Sequence, residues 1–569
     1  MAALSRTLVI ASSLACLSLG SSCIFFVETD TAQCDNDRDC TSRGEDFRGT
    51  FCGESKVCVS NTEFCSTNAE CRSRPGLSNN HICRKDTNRC VNLIATPYCP
   101  RYLGDDEDVL NDDAVYLGMH WISSWDPVTE VAEKSIEFAR QEFKKIGQGG
   151  LPQVPGKTAG KRPIVWIICD TPIGEQALHQ AATDHLIDTV GVPAIVGPLL
   201  PDWLSYAIPK GIQQNVAILT PDPSFEGLSD IPDRIGIFFS NDAPQGTTPR
   251  AQVKVVERDE AAFRAEGVTR ELKLALLYPG TGVSAKDAST FYSTVRFNNG
   301  KTALQNGTNY KPFAYGTFGS PTFASTVAAT VVDATAYQPD IVVCFGEGCT
   351  SLYIQLERAR PNASRYTLAY QSRVPILQNF VGDDEERRKR VKGVIVGRSV
   401  DDPRVLEFAQ NFTINIPETF YHPLAAQTYD LAYFLGYAVT AVGDKPLNGR
   451  AIGDAMLNRF VAGGAKRSAN GSSMLPAFGN LAADQNIELD GVLSSGIFDK
   501  NTGFVIDQEV QVWCIGPDKD REDRFLDSGL VYKVDTDELT GTTTCFDSPP
   551  VATAASRRNA PVATSASRR

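Results

Sequence analysis

Apolar and polar residues alternate in two different ways between residues 112 and 515. Short runs of β-branched and other apolar residues are separated by longer stretches in which apolar residues recur every three or four positions. This order predicts strands joined by helices, as in parallel βαβ architecture. The predicted strands are 114–121, 163–169, 194–196, 216–219, 235–239, 272–278, 340–345, 366–371 and 394–396.

Three helices are predicted from apolar residues that recur every three or four positions. The first begins at Val128, repeats apolar residues on one face as far as Ile146, and is stopped by a glycine-rich turn. The other two cover 174–190 and 424–442. Near-continuous apolar strands such as IVWII indicate sheets with both faces covered by helices, so the fold class is α/β.

The order of these segments resembles one known family. AVYLGMHW, IVWIICDTP, GVPAIVGP, VAILTPDPS, LKLALLYPGTG, DIVVCFGEG, GVIVG, AAQTYDLAYFLGYAV and GVLSSGIFDKNTG follow one another as the corresponding segments do in type I periplasmic solute-binding proteins of the leucine/isoleucine/valine-binding kind. The resemblance covers residues 112–515. It implies two Rossmann-like lobes, with lobe one at 112–248 and 398–485, and lobe two at 250–397 and 486–515.

In that family the chain crosses three times between the lobes, and ligand binds in the cleft between them. Ligands of open α/β sheets lie outside the carboxyl ends of the strands, and the two lobes close around the ligand. The resemblance therefore implies that loops at those ends bind ligand. The expected ligand-binding residues are Ser123, Ser124, Trp125, Asp202, Asp222, Ser224, Gly282, Glu347 and Gln371.

The loop after the Gly-Pro turn departs from the family pattern. Amino-acid binders of the family carry serine or threonine there, whereas this chain has Leu199, Leu200 and Pro201. The tyrosine that is common near position 282 is also missing. Acidic residues in the lobe-one loops favour a cationic or hydroxylated ligand over an anion. An amino acid remains one candidate ligand among small polar molecules.

The first residues indicate export. Arg6 precedes an apolar run from Leu8 to Leu19, which is too short to span a bilayer, and small residues then lead to Cys23. This order resembles a bacterial lipoprotein signal over residues 1–23, with Cys23 as the lipidated residue. Cys16 is a second candidate, and an ordinary cleaved signal is the alternative. We expect no transmembrane helix.

Cysteines after the signal form an internal repeat within residues 24–111. Each repeat has four cysteines, separated by five, eleven and five or six residues. Such small units bury little apolar surface, so disulfides are expected, and zinc is the less favoured alternative because no C-x-x-C pair occurs. The pairing within each repeat stays open. The cysteines are Cys34, Cys40, Cys52, Cys58, Cys65, Cys71, Cys83 and Cys90.

The six remaining cysteines of the body and the extension are even in number, which suits full pairing. Cys344 and Cys349 flank a short loop and are candidates to close on each other, and Cys514 and Cys545 form another candidate pair. Residues 516–569 form an extension. Its last part repeats Pro-Val-Ala-Thr and Ser-Arg-Arg in a tandem of small and basic residues, which predicts a disordered tail.

Charge and motifs narrow the possible functions. The net charge of −13 opposes nucleic-acid binding. No G-x-S-x-G, P-loop, H-E-x-x-H or dinucleotide-binding motif occurs, so we expect neither catalysis nor a cofactor nor a metal. His179 and His185 are expected on helix surfaces, because a spacing of six residues does not stack two imidazoles on one face.

The sequence therefore predicts an extracytoplasmic solute-binding protein for ABC-type uptake or sensing. It would work with a transporter permease and be anchored through a lipid in the periplasm or at the cell surface, with the outer membrane as the expected membrane. The alternative is an envelope lipoprotein that uses the same fold for protein interaction or regulation. Under either function, the cysteine-rich module is expected to be a stiff, protease-resistant stalk or an interaction module.

Overall fold

The computed structural model describes 33–44, 47, 50–52, 56–60, 64–122, 128–157, 160–172, 174–197, 201–221, 227–244, 246–318, 320–400, 402–417, 419, 421–506, 508–517, 524–534 and 536–545. Several predictions concern residues outside this part of the chain. These are the signal segment with Cys16 and Cys23, the candidate ligand residues Ser123, Ser124, Trp125, Asp222 and Ser224, and the C-terminal repeats. The chain divides into two compact units, Met1–Val91 and Asn92–Arg569.

The first unit repeats one small motif, a short helix followed by a two-stranded antiparallel ribbon. A polar side chain begins each helix: Asn36 caps the first, and Thr67 accepts a hydrogen bond from the Glu70 amide in the second. The elements are α1 (Asp37–Thr41), β1 (Thr50–Cys52), β2 (Cys58–Ser60), α2 (Asn68–Ser73), β3 (His81–Arg84) and β4 (Arg89–Asn92).

Disulfides take the place of a large core in both repeats. In each one the first cysteine is bonded to the third and the second to the fourth, so the disulfide prediction is confirmed and the open pairing is resolved. Every sulfur of these repeats is therefore committed to another sulfur. The pairs are Cys34–Cys52, Cys40–Cys58, Cys65–Cys83 and Cys71–Cys90.

The second unit begins with the first part of lobe one. Its strands are β5 (Arg101–Leu103), β6 (Val115–Ile122), β7 (Ile164–Thr171), β8 (Ala194–Val196), β9 (Ala217–Thr220) and β10 (Phe238–Ser240). Its helices are α3 (Asp106–Leu110), α4 (Val128–Ile146), α5 (Gln176–Asp184) and α6 (Pro201–Gln214), and a π-helical turn, His185–Val190, continues α5. The sheet order is β10-β9-β8-β6-β7-β5, with only β5 antiparallel among these strands.

Lobe two follows along the chain. Its elements are α7 (Thr247–Ala265), β11 (Leu274–Pro279), α8 (Val283–Thr294), β12 (Arg296–Phe297), β13 (Lys301–Thr302), α9 (Ala303–Asn306), β14 (Tyr310–Tyr315), α10 (Phe323–Tyr337), β15 (Ile341–Cys344), α11 (Cys349–Ala359), β16 (Arg365–Leu368), α12 (Pro375–Val381), α13 (Glu385–Arg390) and β17 (Val391–Val396). The predicted pair Cys344–Cys349 is bonded and closes the loop between β15 and α11.

The chain then returns to lobe one and finally to lobe two. The returning elements are α14 (Pro403–Asn415), α15 (Pro423–Val442), α16 (Gly449–Arg459), β18 (Phe460–Ser468), α17 (Gly471–Ala482) and β19 (Ile487–Asp490). The last strands are β20 (Glu509–Ile515), β21 (Phe525–Lys533) and β22 (Glu538–Gly541). They complete an eight-stranded sheet of order β14-β11-β15-β16-β17-β20-β21-β22, in which β20–β22 are antiparallel.

Lobe one is built around α15, whose residues are buried along nearly its whole length. Gly436 allows α15 to approach α4, because a Cβ at this position would lie 2.4 Å from the ring of Phe143. Trp121 and Trp166, from neighbouring strands, are buried in the same core. The sheet of lobe two has apolar clusters of its own.

Three segments connect the lobes, as the resemblance implies. They follow β10, β17 and the turns after β19, and they lie side by side. Gln508 Nε2 donates to the carbonyl of Asn241 at 3.2 Å, which joins the first and third segments. The amide of Gly397 donates to the carbonyl of Glu509 at 2.9 Å, which joins the second and third. The chain therefore has the two-lobed α/β fold that the sequence predicts.

Three stretches differ from the predicted boundaries. Residues 92–111 belong to the second unit, because β5 pairs with β7 and Cys99 is bonded to Cys169. Residues 487–505 pack in the core of lobe one, since Leu489, Val492 and Phe498 are buried there. The extension after 515 continues the sheet of lobe two through β21 and β22.

Cys514 and Cys545 are bonded, as predicted, and join β20 to the residues that follow β22. In the part of the chain that the structure describes, no helix is both long and apolar enough to cross a membrane.

Candidate functional site

Loops at the carboxyl ends of three neighbouring strands form one side of the candidate site. β11, β15 and β16 are adjacent in the sheet of lobe two. The loops that follow them carry Gly282, Glu347 and Gln371, respectively. Because parallel strands end at the same edge of a sheet, the structure brings these three predicted residues to one edge.

These three residues offer different groups to a ligand. Gly282 begins α8 at φ +75, and no atom would lie within 4 Å of a Cβ there, so its backbone is accessible. Glu347 is exposed in the loop closed by the Cys344–Cys349 disulfide. Gln371 Oε1 is buried and has no hydrogen-bond donor among the described residues. A buried acceptor of this kind normally has a protein or solvent partner.

Two hydroxyl groups extend this edge. Thr281 follows β11 and Thr317 follows β14, and their Oγ1 atoms lie 2.7 Å apart at the surface. Beneath them, the hydroxyl of Tyr315 donates to the carbonyl of Phe345 at 2.5 Å, which fixes the loop that carries Glu347. The ring of Phe318 is exposed on the same side, 5.3 Å from that of Phe323.

On the lobe-one side, Asp202 is the one predicted ligand residue within the described part of the chain. It lies exposed in the first turn of α6, near the carboxyl end of β8. Directly beneath this turn, buried polar side chains from four elements meet. They are His120 of β6, Thr171 of β7, His179 of α5 and Trp203 of α6.

The hydroxyl of Thr171 links the two imidazoles of this cluster. His120 Nε2 lies 3.1 Å from Thr171 Oγ1, and His179 Nδ1 lies 2.5 Å from the same oxygen. The indole of Trp203 stacks on His120 at 4.2 Å between ring centroids. The prediction that His179 lies on a helix surface is wrong, because α5 turns this side chain toward the sheet and leaves it 4% exposed.

His185 is also buried rather than on a helix surface. Its Nε2 lies 3.0 Å from the carbonyl oxygen of Leu93, so the π-helical turn after α5 directs the ring into the protein. Spacing along the sequence could not reveal either burial, because the covering residues lie in other strands and loops.

Burial keeps the imidazoles of the cluster neutral. It lowers the pKa of His179 to about 4, and that of His120, also repelled by His179, to about 3. A neutral imidazole has one donor and one acceptor nitrogen, and Thr171 donates only one proton. When Thr171 donates to one ring and accepts from the other, His120 Nδ1 and His179 Nε2 have opposite hydrogen-bonding roles. Neither atom has a partner among the described residues.

The start of α15 lies where the two lobes meet. Gln427 Nε2 donates to the carbonyl of Pro221 at the carboxyl end of β9, 3.4 Å away. His422 caps α15, and its pKa is lowered to about 4 by burial and then by the charge of Arg373, which follows β16 in lobe two. The carboxyl edges of both sheets therefore contribute to one interlobe region.

Sequence reasoning identified the lobe-two loops but not all of their polar residues. Arg373, His422 and the Thr281–Thr317 pair were missed. The one local signal was the His-Pro pair before the long helix 424–442, which is typical of a helix start. One acidic grouping elsewhere already has a cationic partner, because Lys144 contacts Asp105, Glu107 and Asp108 together.

No family model matches the sequence, and no curated protein matches it. Solved structures do match the fold. A leucine-binding protein from Thermotoga maritima has a TM-score of 0.52 at 15% identity, over 74% of this chain and 100% of that protein. An ABC transporter solute-binding protein from R. palustris, in complex with benzoate, has a TM-score of 0.50 at 14% identity, over 76% and 98%.

An ABC transporter substrate-binding protein from Sphaerobacter thermophilus gives a TM-score of 0.50 at 13% identity, over 76% of this chain and 99% of that protein. These likenesses show the fold, which is that of the type I periplasmic binding proteins. The resemblance noted in the sequence is thereby confirmed at the level of the fold.

Proposed function

We propose that this protein captures a small polar ligand in the cleft between its two lobes and is not an enzyme. The observation that carries the proposal is the shared carboxyl edge of β11, β15 and β16, whose loops carry Glu347 and Gln371, the latter with a buried Oε1 that has no partner among the described residues. Three parallel connections between the lobes support a closing motion around a ligand.

The groups at this edge favour a ligand with hydrogen-bond donors. Glu347 and Gln371 Oε1 accept hydrogen bonds, and the hydroxyls of Thr281 and Thr317 both accept and donate. An ammonium or hydroxyl group of the ligand would donate hydrogen bonds to these acceptors. A ligand whose one polar group is a carboxylate would be repelled by Glu347. We therefore expect an amino acid or another hydroxylated or amine-bearing metabolite. Of the predicted lobe-one residues, Asp202, Asp222, Ser123, Ser124, Trp125 and Ser224 would complete the site.

A ligand screen tests this proposal. Purified full-length protein is heated with individual amino acids, amines, polyols and aromatic acids, and compounds that raise the midpoint of unfolding are titrated by calorimetry. The expected result is one saturable ligand class that also lowers the radius of gyration in solution scattering. Absence of any saturable ligand, or binding without compaction, would contradict cleft capture.

We further propose export, a lipid at Cys23 and an ABC-type permease or sensor as partner. The apolar segment Leu8–Leu19 followed by small residues and Cys23 supports the anchor. Mass spectrometry of the mature N-terminus tests it directly: a diacylated Cys23 is expected, and an unmodified terminus at another residue would exclude lipidation there. The outer membrane is the proposed location.

A protein-interaction role within the envelope is the second candidate. Two disulfide-bonded repeats precede the lobes, and solute capture alone does not require them. Crosslinking in intact cells separates the candidates. A permease crosslinked to the lobes supports uptake, whereas an envelope protein crosslinked to the repeats, together with a silent ligand screen, supports the interaction role.

A further inference from the structure

Lobe one contains a second pocket, separate from the loops of the interlobe region. It has a volume of about 270 Å³ and lies among the second half of α4, the helices α14 and α15, the start of α17 and the end of β19. Its wall includes Asp490, Gly491 and Val492, which precede the third connection between the lobes. None of the predicted cleft residues within the described part of the chain lines it.

Two carboxylates in this pocket form no salt bridge among the described residues. Glu142 is half-buried on α4, and Glu407 is exposed at the rim on α14. Glu142 Oε2 accepts hydrogen bonds from the hydroxyls of Tyr429 at 2.5 Å and Tyr433 at 2.9 Å. No donor to Oε1 is found in the described part of the chain.

The nearby arginine does not neutralise these carboxylates. Arg404 Nη2 lies 2.6 Å from Asp402 Oδ2, and its Nη1 is paired with Asp490, which also contacts Arg398. Two arginines and two aspartates therefore balance one another. Glu142 and Glu407 therefore form no ion pair with either arginine. Burial raises the pKa of Glu142 and the repulsion of Glu407 adds to this, whereas the hydrogen bonds from Tyr429 and Tyr433 and the charge of Lys145 act in the opposite direction.

Aromatic rings form the part of the wall next to Glu142. Phe138 stacks on Tyr429 at 5.6 Å, and Phe408 lies 4.8 Å from Tyr429, measured between ring centroids. All three residues line the pocket. A cation beside aromatic rings is stabilised by their quadrupoles, and more strongly where water is excluded. Apolar groups attached to the cation would contact the same rings.

The start of α17 closes the pocket at Gly471. A Cβ at this position would lie 2.4 Å from Ile146 Cδ1 and 3.1 Å from Glu142 Oε1, so glycine lets the carboxylate approach the helix. The negative charge that a helix N-terminus favours is therefore already supplied by Glu142. This placement leaves a cationic group, rather than an anion, as the charge that the pocket lacks.

We infer that this pocket binds a compact organic ammonium ion, with the ammonium beside Glu142 and Glu407 and its alkyl groups against Phe138, Phe408 and Tyr429. The site is independent of the interlobe cleft. Its selectivity rests on both the charge and the contact between alkyl groups and aromatic rings. An inorganic cation would supply only the charge, and a neutral alcohol with the same alkyl groups would supply only the contact.

Saturation-transfer NMR with choline as the probe tests the site on the full-length protein. The neutral isostere 3,3-dimethylbutan-1-ol has the same shape without the charge. We expect choline to bind roughly 10-fold more tightly than the isostere, because the cation–aromatic and carboxylate interactions are lost in the alcohol. Equal binding of the two probes, or no saturable transfer to choline, would overturn the inference.

Two variants locate the binding. Glu142→Gln is expected to weaken choline binding roughly 10-fold, and Glu407→Gln, which changes an exposed side chain, by about 3-fold. Glu385→Gln, on the surface of lobe two, is the matched control and should bind as the unchanged protein does. If Glu142→Gln fails to fold, Glu407→Gln still tests the inference. An unaltered affinity for choline in that variant would show that choline does not bind in this pocket.

Discussion

The carboxylate of Asp430 accepts a hydrogen bond from the backbone amide of Val492 at 2.6 Å. The amide of Leu493 donates to the other oxygen at 3.0 Å, so one buried side chain of α15 holds the turn that leads to the third lobe connection. Arg398, in the second connection, donates to the carbonyls of Gly491 and Val492. The second and third interlobe connections are thus anchored, through this turn, to α15.

Asp430 should make stability fall as the pH rises. Burial raises its pKa from 3.8 to about 7, although the two amides act in the opposite direction. The folded state therefore binds more protons than the unfolded state between these values, and the contribution is lost as the pH rises through about 7. Such a pKa shift changes the free energy of unfolding by roughly 4 kcal/mol at most.

Comparison with Asp430→Asn isolates this effect. In urea titrations from pH 4 to pH 8, we expect the unfolding free energy of the unchanged protein to decline relative to that of the variant. Glu385→Gln removes an exposed carboxylate as a control. A difference between the unchanged protein and Asp430→Asn that stays constant with pH would show that Asp430 does not titrate in this range.

The buried histidines should have the opposite effect. The pKa of His179 is lowered by burial from 6.5 to about 4, so the unfolded state binds the proton more readily between these values. The stability contribution of the neutral ring is present above pH 6.5 and is lost as the pH falls to about 4, at a cost of about 3 kcal/mol. The substitution His179→Gln is expected to remove this pH dependence of the unfolding free energy.

Acid unfolding followed by fluorescence measures the effect. His179→Gln should retain more of its pH 7 stability at pH 4.5 than the unchanged protein does, whereas His81→Gln in the first unit should not alter the unfolding of the lobes. An identical acid profile for His179→Gln and the unchanged protein would mean that this ring is protonated with little cost in the folded state.

The lobe-two loops should control affinity for the cleft ligand. Gln371→Ala removes the buried acceptor, and Glu347→Gln removes the charge while preserving size. Each substitution is expected to lower the affinity for the ligand found by screening about 10-fold, which is the effect of losing one hydrogen bond to a charged group. Calorimetry measures the change, with Glu385→Gln as the control, and unaltered affinity in both variants would place the ligand elsewhere.

The disulfides should hold each repeat of the first unit. Replacing Cys71 and Cys90 by serine opens a loop of sequence separation 19 and is expected to cost about 3 kcal/mol of local stability. Limited proteolysis with peptide mapping should show new cleavage within residues 64–91. Serine at Cys344 and Cys349 provides the control, because it opens a loop in lobe two and should leave cleavage of the repeats unchanged.

Periodicity predicted the elements with strong local patterns. The strand 194–196 and the helix 128–146 match β8 and α4, and the predicted strand 163–169 overlaps β7 almost entirely. β14 was missed because it is an edge strand in which exposed and buried residues are mixed and proline interrupts the run. β21 and β22 were missed because their partner strands, not their own apolar content, define them.

The candidate sites depended more on long-range packing. Gly282, Glu347 and Gln371 could be found because each follows a recognisable strand. The cluster of His120, Thr171, His179 and Trp203, and the pocket around Glu142, could not be found in this way. Their residues come from distant parts of the chain and have no common local signal, so only the folded arrangement brings them together.

The first and last strands described in the second unit lie in different lobes. β5 is the last strand at one side of the lobe-one sheet, and β22 is the last strand at one side of the lobe-two sheet. A change in the angle between the two lobes therefore changes the distance between these two strands. Paired spin labels or fluorophores near residues 102 and 540 would act as a molecular ruler for occupancy, without any label in the binding loops.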